Sequence, residues 1–339
     1  MKKILIIADG LSGHGGTEKV IKDFYDYFTD NYKIKILLLN HCLNEEWLCD
    51  THFEYVSAEL ILEDVLKQSL EQYQPDFVLT PNYFYLKVLK EYKQASIIFW
   101  DHMSYSYYHA QKPVFLENIY YADHYFAICT GIEHSLHDLG ISQEKISLIY
   151  NPIEQQQELK RTTEKIKFIY VGRLFCYQQK RCMDILHAIK KIKELNFTFE
   201  FYGDGQDRTE LEQAVQQFGL QEKVKFLGWF DKPWQAITEA SCLILPSQYE
   251  GLPLVLGEAI SYGIPCLASD CKFGPKDIIT ESVNGSLFEV GDVEALANKM
   301  QQFVANPKNF YNVDKIKYSI SYLYRENYFK NLEKILEHL

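Results

Sequence analysis

The sequence lacks the features of membrane, secreted and zinc-binding proteins. No apolar run approaches the roughly 20 residues that a membrane-spanning helix needs. The apolar run that follows Met1-Lys2-Lys3 stops at Asp9, too early for a signal peptide. No CxxC pair or Cys/His cluster indicates a metal site. We therefore expect a metal-free protein of the cytoplasm that associates with a membrane at most peripherally.

Positive charge is scarce in the first half of the chain. Residues 1–155 hold 12 lysines and no arginine against 22 acidic residues, a net charge of −10 out of −11 for the whole chain. Binding to phosphate backbones needs a basic surface, so this distribution argues against a nucleic-acid partner and against a broadly anionic membrane. A solvated acidic surface that keeps the protein soluble is the simpler interpretation.

What is present is ordinary globular composition, 47% hydrophobic and 24% charged, over 339 residues. That length predicts two domains of roughly 150 residues each, with a cleft available between them. The cysteines are scattered, several in apolar runs, and are predicted to be reduced core thiols. They are Cys42, Cys49, Cys129, Cys176, Cys182, Cys242, Cys266 and Cys271.

Short β-branched runs alternate with amphipathic segments of helix length, which predicts βα units and parallel sheets. Strands are expected at Ile4–Ala8, Ile34–Leu39, Phe77–Thr80, Ile97–Trp100, Tyr125–Cys129, Lys167–Val171, Phe199–Tyr202, Val224–Phe226, Cys242–Pro246 and Cys266–Ala268. Helices are expected at Thr17–Phe28, Glu63–Tyr73, Val114–Ala122, Met183–Leu195, Arg208–Gln217, Trp234–Ala240, Leu254–Tyr262 and Pro275–Thr280. The fold class is therefore α/β.

The predicted architecture is two Rossmann-like, doubly wound domains in sequence. Residues 1–153 form the first domain, residues 154–165 a polar linker and residues 166–315 the second domain. Residues 316–339 look helical and could pack back across the first domain. In such sheets, ligands bind beyond the carboxyl ends of the strands, where the motifs described next are found.

Two motifs follow first-half strands. The glycine-rich segment 9–18 opens the first predicted helix, where backbone N–H groups can approach an anion. It lacks the G-x-G-x-x-G spacing of dinucleotide folds, and a tight turn capped by Thr17 would also explain it. His102 follows another strand and either contacts a substrate or is a solvated surface histidine.

Cations follow the first strand of the second half. Arg173 comes directly after Val171-Gly172, and Lys180 and Arg181 follow shortly afterwards. Arginine binds a diphosphate bidentately and lysine adds a point charge, so these residues predict a diphosphate site, with an exposed basic loop as the alternative. Gly203 and Asp204 end the next strand in a turn of the kind that can line a nucleoside.

The most informative segment is Leu245–Ala259. Glu250 lies in a predicted loop and Glu258 in the helix that follows, so the two carboxylates address opposite ends of one ligand. A carboxylate in this apolar helix needs a partner, and ribose hydroxyls would suit, although Glu258 could be an ordinary helix glutamate. Other residues assigned to the same ligand, mainly through backbone N–H groups at the helix start, are Ser247, Gly251, Leu252, Leu254 and Val255.

Together these motifs resemble the retaining glycosyltransferases of family 4, which have the GT-B fold. They occur in the family's order across nearly the whole chain. The residues that carry the resemblance are Glu250-x7-Glu258, Gly172-Arg173-Leu174, Gly203-Asp204-Gly205, the loop Gly15-Gly16-Thr17-Glu18, and Asn151-Pro152 before the linker.

The resemblance implies roles for the site residues. Arg173 and Lys180 would hold the diphosphate of a nucleotide-sugar donor, with Glu258 on its ribose. Glu250 would contact the donor sugar, as would His102 from the acceptor-binding domain, and Gly16 would lie against the donor phosphates. The spacing from Arg173 to Lys180 is longer than is common in the family, which leaves Arg181 as a second candidate for the phosphate.

A narrower likeness concerns the stretch 263–277, which is similar to bacterial enzymes that extend lipopolysaccharide cores or surface polysaccharides, α-1,6-galactosyltransferases among them. It implies hexose transfer from UDP-galactose or UDP-glucose to a glycan or glycolipid acceptor. Such transfer is explained by front-face attack with the leaving phosphate as base, so Glu250 is expected to position the donor. No Asp-x-Asp metal motif occurs, and the cations would replace a metal.

Three other functions compete with this interpretation. A UDP-sugar 2-epimerase would share the fold, but the Glu250-x7-Glu258 segment argues against it. A non-catalytic glycan-binding partner subunit would be expected to have lost the donor ligands, which are all present. An NAD-dependent oxidoreductase would need the dinucleotide loop spacing that is missing.

Overall fold

The computed structural model describes residues 1–11, 16–39, 53–55 (backbone only), 62–102, 113–159, 165–307 and 312–339. The chain divides into two compact units. The N-terminal unit comprises Met1–Pro152 and Tyr328–Leu339, and the C-terminal unit comprises Ile153–Asn327. Within the described part of the chain, none of the helices is both long and apolar enough to cross a bilayer.

The N-terminal unit is built on a parallel seven-stranded sheet. Its strands are β1 (Lys3–Ala8), β2 (Lys33–Leu38), β3 (Phe53–Tyr55), β4 (Phe77–Thr80), β5 (Ser96–Asp101), β6 (His124–Ala127) and β7 (Ile146–Leu148). Their order is β3-β2-β1-β4-β5-β6-β7, so the chain winds outwards in both directions and the topological switch lies between β1 and β4. Every residue of β4 and β6 is buried, as expected of strands covered on both faces.

Helices of the N-terminal unit follow its strands. They are α1 (Gly16–Phe28), α2 (Leu62–Tyr73), α3 (Leu86–Leu89), α4 (Pro113–Asn118) and α5 (Thr130–Asp138). Helix α1 packs through Phe24, whose ring meets the edge of Trp100 at 5.6 Å. The end of the chain joins this unit, because Phe329 stacks on Tyr27 at 4.2 Å. Burial of these large rings stabilises the α1 side of the sheet.

The C-terminal unit repeats the design with a parallel six-stranded sheet. Its strands are β8 (Ile166–Val171), β9 (Phe197–Tyr202), β10 (Val224–Gly228), β11 (Cys242–Leu245), β12 (Cys266–Ser269) and β13 (Gly285–Phe288). The order β10-β9-β8-β11-β12-β13 places the topological switch between β8 and β11. The carboxyl ends of those two strands are therefore where a ligand crevice is expected.

The helices of the C-terminal unit are α6 (Cys182–Lys191), α7 (Arg208–Phe218), α8 (Pro233–Ala236), α9 (Leu254–Ser261), α10 (Pro275–Ile278), α11 (Val293–Ala305), α12 (Val313–Tyr318) and α13 (Arg325–His338), the last of which continues into the N-terminal unit. Gly257 in α9 faces Ile153, and a Cβ there would stand 2.9 Å from that side chain. Glycine in the middle of this helix thus allows close packing onto the start of the unit.

The predicted α/β architecture of two doubly wound domains is confirmed, with strand limits moved by a few residues. The single helix expected over 316–339 is wrong, because α12 ends at Tyr318 and α13 begins at Arg325 after a 3-10 turn at Ser321–Leu323. The short strands β3, β7 and β13 and the helices α3, α5 and α11 were not predicted. The six cysteines in the described ranges are free and buried, as predicted, whereas Cys42 and Cys49 lie outside the described residues.

Candidate active site

The candidate site begins where β8 and β9 end. Gly172 donates its N–H to the carbonyl of Tyr202 at 3.0 Å, and Leu174 donates to the carbonyl of Asp204 at 2.9 Å. A Cβ on Gly203 would stand only 1.8 Å from the carbonyl oxygen of Gly172. Glycine at 203 is therefore required for the two strand-end loops to touch, which explains the predicted Gly-Asp turn in steric terms.

Lys180 and Glu250 form the central ion pair of the site. Lys180 Nζ lies 2.6 Å from Glu250 Oε1, and the two side chains are only 15% and 8% exposed. The backbone reinforces the contact, since the N–H of Gln248 donates to the carbonyl of Gln179 at 2.8 Å. The loop after β8 is thereby tied to the loop after β11 by a charge-assisted hydrogen bond that is largely shielded from water.

Arg181 contacts residues other than Glu250. Its backbone is left-handed, with φ of 46°, where it caps the start of α6. Its Nε donates to Asp184 at 2.7 Å, and its Nη1 donates to the side chain of Gln248 at 3.1 Å. The residue that faces Glu250 is thus Lys180, while Arg181 is engaged by the neighbouring helix and loop.

Arg173 presents an exposed guanidinium at the end of β8. Within the described ranges no carboxylate pairs with it. Its guanidinium lies 5.5 Å from the centre of the Phe175 ring, and its Nη2 lies 3.5 Å from Gln179 Oε1. Its backbone is held from inside, because the buried hydroxyl of Tyr170 donates to the Arg173 carbonyl at 2.7 Å. An exposed cation on a fixed backbone suits an incoming anion.

Asp204 has local partners. Its carboxylate accepts from the N–H of Gly205 at 2.8 Å and from Arg208 Nη1 at 3.0 Å. These two donors, the Gly205 N–H first, hold the pKa of the Asp204 carboxyl below its usual range. Asp204 therefore shapes the turn and is ionised, and its contact with a ligand stays a prediction.

Glu258 lies in the second turn of α9 and is only partly buried. Its Oε2 accepts a hydrogen bond from Trp234 Nε1 at 2.9 Å. The helix has Pro253 at its N-cap and no side-chain cap, so the N–H groups of Leu254 and Val255 open its first turn without a capping side chain. The indole gives this helix glutamate a partner within the protein, and its contact with a ribose stays a prediction.

The loop that carries Glu250 packs against the loop that follows β12. Gly274 has φ of 87°, and a Cβ there would stand 2.1 Å from the carbonyl oxygen of Gly251. Ser247 is fully buried, and its carbonyl accepts from the hydroxyl of Ser269 at 2.5 Å. Leu252 is also buried. These contacts hold the loop after β11 against the loop after β12, so the loop's conformation is built into the fold.

His102 follows β5 in the N-terminal unit and is buried, which corrects the alternative of a solvated surface histidine. Among the described residues, nothing hydrogen-bonds its Nε2, and burial lowers the pKa of the imidazole to about 3. A neutral ring can exchange hydrogen bonds with a ligand but carries no charge at neutral pH. Gly16 opens α1, and Gly15 lies outside the described residues.

One polar cluster was missed by the sequence reasoning. The exposed carboxylate of Asp9, after β1, accepts from Asn82 Nδ2 at 3.1 and 2.9 Å and from the hydroxyl of Tyr85. Asn82 is itself oriented, because its Oδ1 accepts from the N–H of Phe84 at 2.9 Å. The cluster stands at the switch between β1 and β4. Only the strand-end position of Asp9 hinted at it, since its partners are more than 70 residues away.

Comparison with known proteins identifies the family. The model of the family described as "Glycosyl transferases group 1" matches residues 152–318. The lipopolysaccharide 1,6-galactosyltransferases of Salmonella typhimurium and Escherichia coli K12 are 30% and 29% identical, each over 98% of both chains.

The chain belongs to the group 1 glycosyltransferases.

Solved structures agree with that family. The apo form of the lipopolysaccharide outer core galactosyltransferase WaaB is 28% identical, with a TM-score of 0.87 over 99% of this chain and 100% of that one. Anabaena HepE in complex with UDP, 19% identical with a TM-score of 0.84 over the whole of both chains, shows the same fold. The predicted GT-B fold and the predicted class of enzyme, a glycosyltransferase, are confirmed.

The buried ion pair leads to a first prediction. Lys180→Met should lower the free energy of unfolding by about 2 kcal/mol, because it leaves the Glu250 carboxylate buried without its cation. Adding Glu250→Gln should restore part of that loss, since a neutral amide tolerates burial better. Calorimetric melting of the single and double variants measures both effects.

Lys191→Met is the matched control for this substitution. Lys191 pairs with Glu294 at 2.6 Å, but the two side chains are 47% and 65% exposed. Its loss should cost under about 0.5 kcal/mol, as for other exposed pairs. Equal destabilisation by the two lysine variants would contradict the importance given to the buried pair.

The burial of His102 predicts how stability depends on pH. Between its ordinary pKa of 6.5 and its folded value of about 3, the unfolded chain takes up a proton at this ring and the folded chain does not. The free energy of unfolding therefore falls as the pH is lowered through that window. His102→Gln should reduce the loss between pH 7 and pH 5 by about 2 kcal/mol.

Urea unfolding at the two pH values measures this difference. His124, whose pKa burial also lowers, to about 4, is present in both proteins, so its effect cancels. The same substitution at the exposed His134 serves as control and should leave the pH dependence as it is in the unaltered chain. An unchanged slope in His102→Gln would show that this ring takes up its proton equally in both states.

Proposed function

We propose that this glycosyltransferase transfers a hexose from UDP-galactose or UDP-glucose, with retention and without a metal, to a glycan or glycolipid in lipopolysaccharide or surface-polysaccharide assembly. The observation that carries the donor site is the Lys180–Glu250 pair at the switch between β8 and β11, with the exposed Arg173 in the same loop as Lys180. Relatives named as lipopolysaccharide 1,6-galactosyltransferases, similar over 98% of the chain, support the proposed acceptor class.

The donor diphosphate would be bound by Arg173 and Lys180. Arg173 is exposed and contacts Gln179, the residue before Lys180, whereas Arg181 is engaged by Asp184 and Gln248. The uncapped start of α9 adds N–H groups with a partial positive charge. Glu258 would accept hydrogen bonds from the ribose, at the other end of the same nucleotide.

In the reaction, the bond from the anomeric carbon to the diphosphate oxygen breaks and a bond from an acceptor hydroxyl forms on the same face. The hydroxyl proton passes to the departing diphosphate, so no protein base is consumed. Arg173 and Lys180 stabilise the charge that develops on the leaving group, an effect worth several kcal/mol in such sites. Glu250 lies beside Lys180 and would stabilise positive charge on the sugar ring.

Metal independence is supported by the residue types present. Two cations and a helix start supply the positive charge that a divalent ion would otherwise bring to a diphosphate. In the described part of the chain, no group of three His, Cys, Asp or Glu side chains could hold a metal ion. We expect the enzyme to act at the inner face of the membrane, held there peripherally by its acceptor.

The acceptor would bind to the N-terminal unit at the switch between β1 and β4. The oriented carboxylate of Asp9 can accept hydrogen bonds from sugar hydroxyls, and it would repel an anionic sugar. The neutral imidazole of His102 lies at the end of the neighbouring strand β5. A neutral sugar is thus the expected acceptor residue.

Thermal-shift screening against UDP-, GDP-, ADP- and dTDP-sugars tests the donor. UDP-galactose or UDP-glucose should raise the melting temperature through binding to the folded state, with and without EDTA. Hydrolysis of the stabilising donor, followed by NMR, should release the α-anomer first. Loss of the shift in EDTA would contradict the metal-independent site, and release of the β-anomer would contradict retention.

Glu250→Gln separates the assigned roles within that assay. Hydrolysis should fall by about 100-fold or more, because the charge next to the sugar ring is lost. UDP affinity should be kept or improved, since Lys180 is no longer neutralised. Full hydrolysis by this variant would overturn the role given to Glu250.

Asp9→Asn tests the acceptor side. The amide keeps the shape but loses the charge and part of the capacity to accept hydrogen bonds, so the KM for the acceptor should rise about tenfold. The probe is lipopolysaccharide core from cells that lack their 1,6-galactosyltransferase, and transfer and donor hydrolysis are measured in parallel. Donor hydrolysis should be unchanged, and a parallel loss of hydrolysis would place Asp9 outside an acceptor role.

A further inference from the structure

Trp234 and Glu258 come together from two different helices. Trp234 lies in α8, after β10, whereas Glu258 lies in α9, after β11. The indole Nε1 donates to Glu258 Oε2 at 2.9 Å, and the indole stacks on Tyr262 at 5.1 Å with an interplanar angle of 25°. The donor nitrogen therefore sits on a ring that its neighbour holds in place.

An indole N–H has one function in such a contact, because it can donate and cannot accept. It binds one oxygen of the carboxylate and so fixes the rotation of the carboxylate plane about the last side-chain bond. Glutamate in a helix otherwise has several rotamers of similar energy, and ordering it on ligand binding costs free energy. With the carboxylate already oriented in the ligand-free protein, less of that cost falls on binding.

We propose that Trp234 is a positioning residue, which holds the Glu258 carboxylate in the orientation that receives the vicinal hydroxyls of the donor ribose. The inference rests on the proposed function, since it takes a nucleotide as the ligand of this site. It adds to that function a residue that acts on the ribose contact through another side chain. A two-point contact to a diol depends on the plane of the carboxylate more than a single hydrogen bond does.

Trp234→Phe tests the proposal, because phenylalanine keeps a ring against Tyr262 and removes the N–H. Calorimetric titration should show UDP binding to this variant about tenfold more weakly than to the unaltered chain. The second ligand is 2′,3′-dideoxy-UDP, which lacks the diol. Its affinity should change by less than about twofold, since the carboxylate has no hydroxyl to receive.

Glu258→Gln is the second variant, and it leaves the indole–tyrosine stack untouched. It should also weaken the binding of UDP more than the binding of the dideoxy ligand. The variant that carries both Trp234→Phe and Glu258→Gln should bind UDP at most about twofold more weakly than Glu258→Gln alone. In turnover, Trp234→Phe should raise the KM for the donor while kcat stays within about twofold, because the ribose lies away from the broken bond.

The outcomes distinguish the role of Trp234 from the proposed function. Selective weakening of UDP by both single variants supports the proposal. Equal weakening of UDP and the dideoxy ligand by Trp234→Phe would make the indole a packing residue and overturn the inference, while the proposed function stands. No UDP binding by the unaltered chain would overturn the proposed function and the inference together.

Discussion

The contact between Lys180 and Glu250 is the constraint on which the candidate site depends. It joins the loops that follow β8 and β11, the two neighbouring strands at which the strand order of the C-terminal sheet reverses. Parallel strands that diverge at a switch leave a crevice at their carboxyl ends, and the loops there have no strand ladder to hold them. A largely buried, charge-assisted hydrogen bond holds the two loops together instead, and this contact is favourable only because both charges are present.

Two glycines allow the loops that carry this pair to pack closely on their neighbours. The loop after β8 packs directly on the loop after β9, because Gly203 leaves room for the carbonyl of Gly172. The loop after β11 packs on the segment after β12, because Gly274 does the same for Gly251. At both close approaches, backbone atoms occupy positions where a side chain larger than glycine would fill the crevice. The fold thus places Arg173, Lys180 and Glu250 on loops whose backbones have little freedom to move.

The fold could be predicted from the sequence because its strands are buried runs of apolar residues with helices between them. β3, β7 and β13 escaped prediction for physical reasons: the first two are only three residues long, and β13 begins with Gly285-Ser286, which favour strands poorly. The helix expected over 316–339 failed because a local turn at Ser321–Leu323 interrupts an amphipathic pattern that continues on both sides.

The candidate site was predictable only where its residues are close in sequence or follow strand ends. Glu250 and Glu258 share one loop and helix, and Arg173 follows a strand directly. The partner of each depended on the fold: Trp234 comes to Glu258 from another helix, and Asn82 and Tyr85 come to Asp9 from another strand end. No periodicity in a single sequence encodes such long-range pairs, which arise from sheet order.

The charge arrangement bears on how a donor would bind. In the ligand-free protein the positive charge of Lys180 is matched by Glu250, while Arg173 is exposed to solvent. Under the proposed function, a diphosphate would first meet Arg173 and the start of α9, and it would then compete with Glu250 for Lys180. A site with compensated charge is stable when empty, and sharing Lys180 with the diphosphate leaves the Glu250 carboxylate less neutralised beside the sugar. Under the same proposal, attraction between the donor's diphosphate and Lys180 would offset the electrostatic cost of that change. The Glu250 carboxylate would then act on the sugar with more of its negative charge only when a donor is bound.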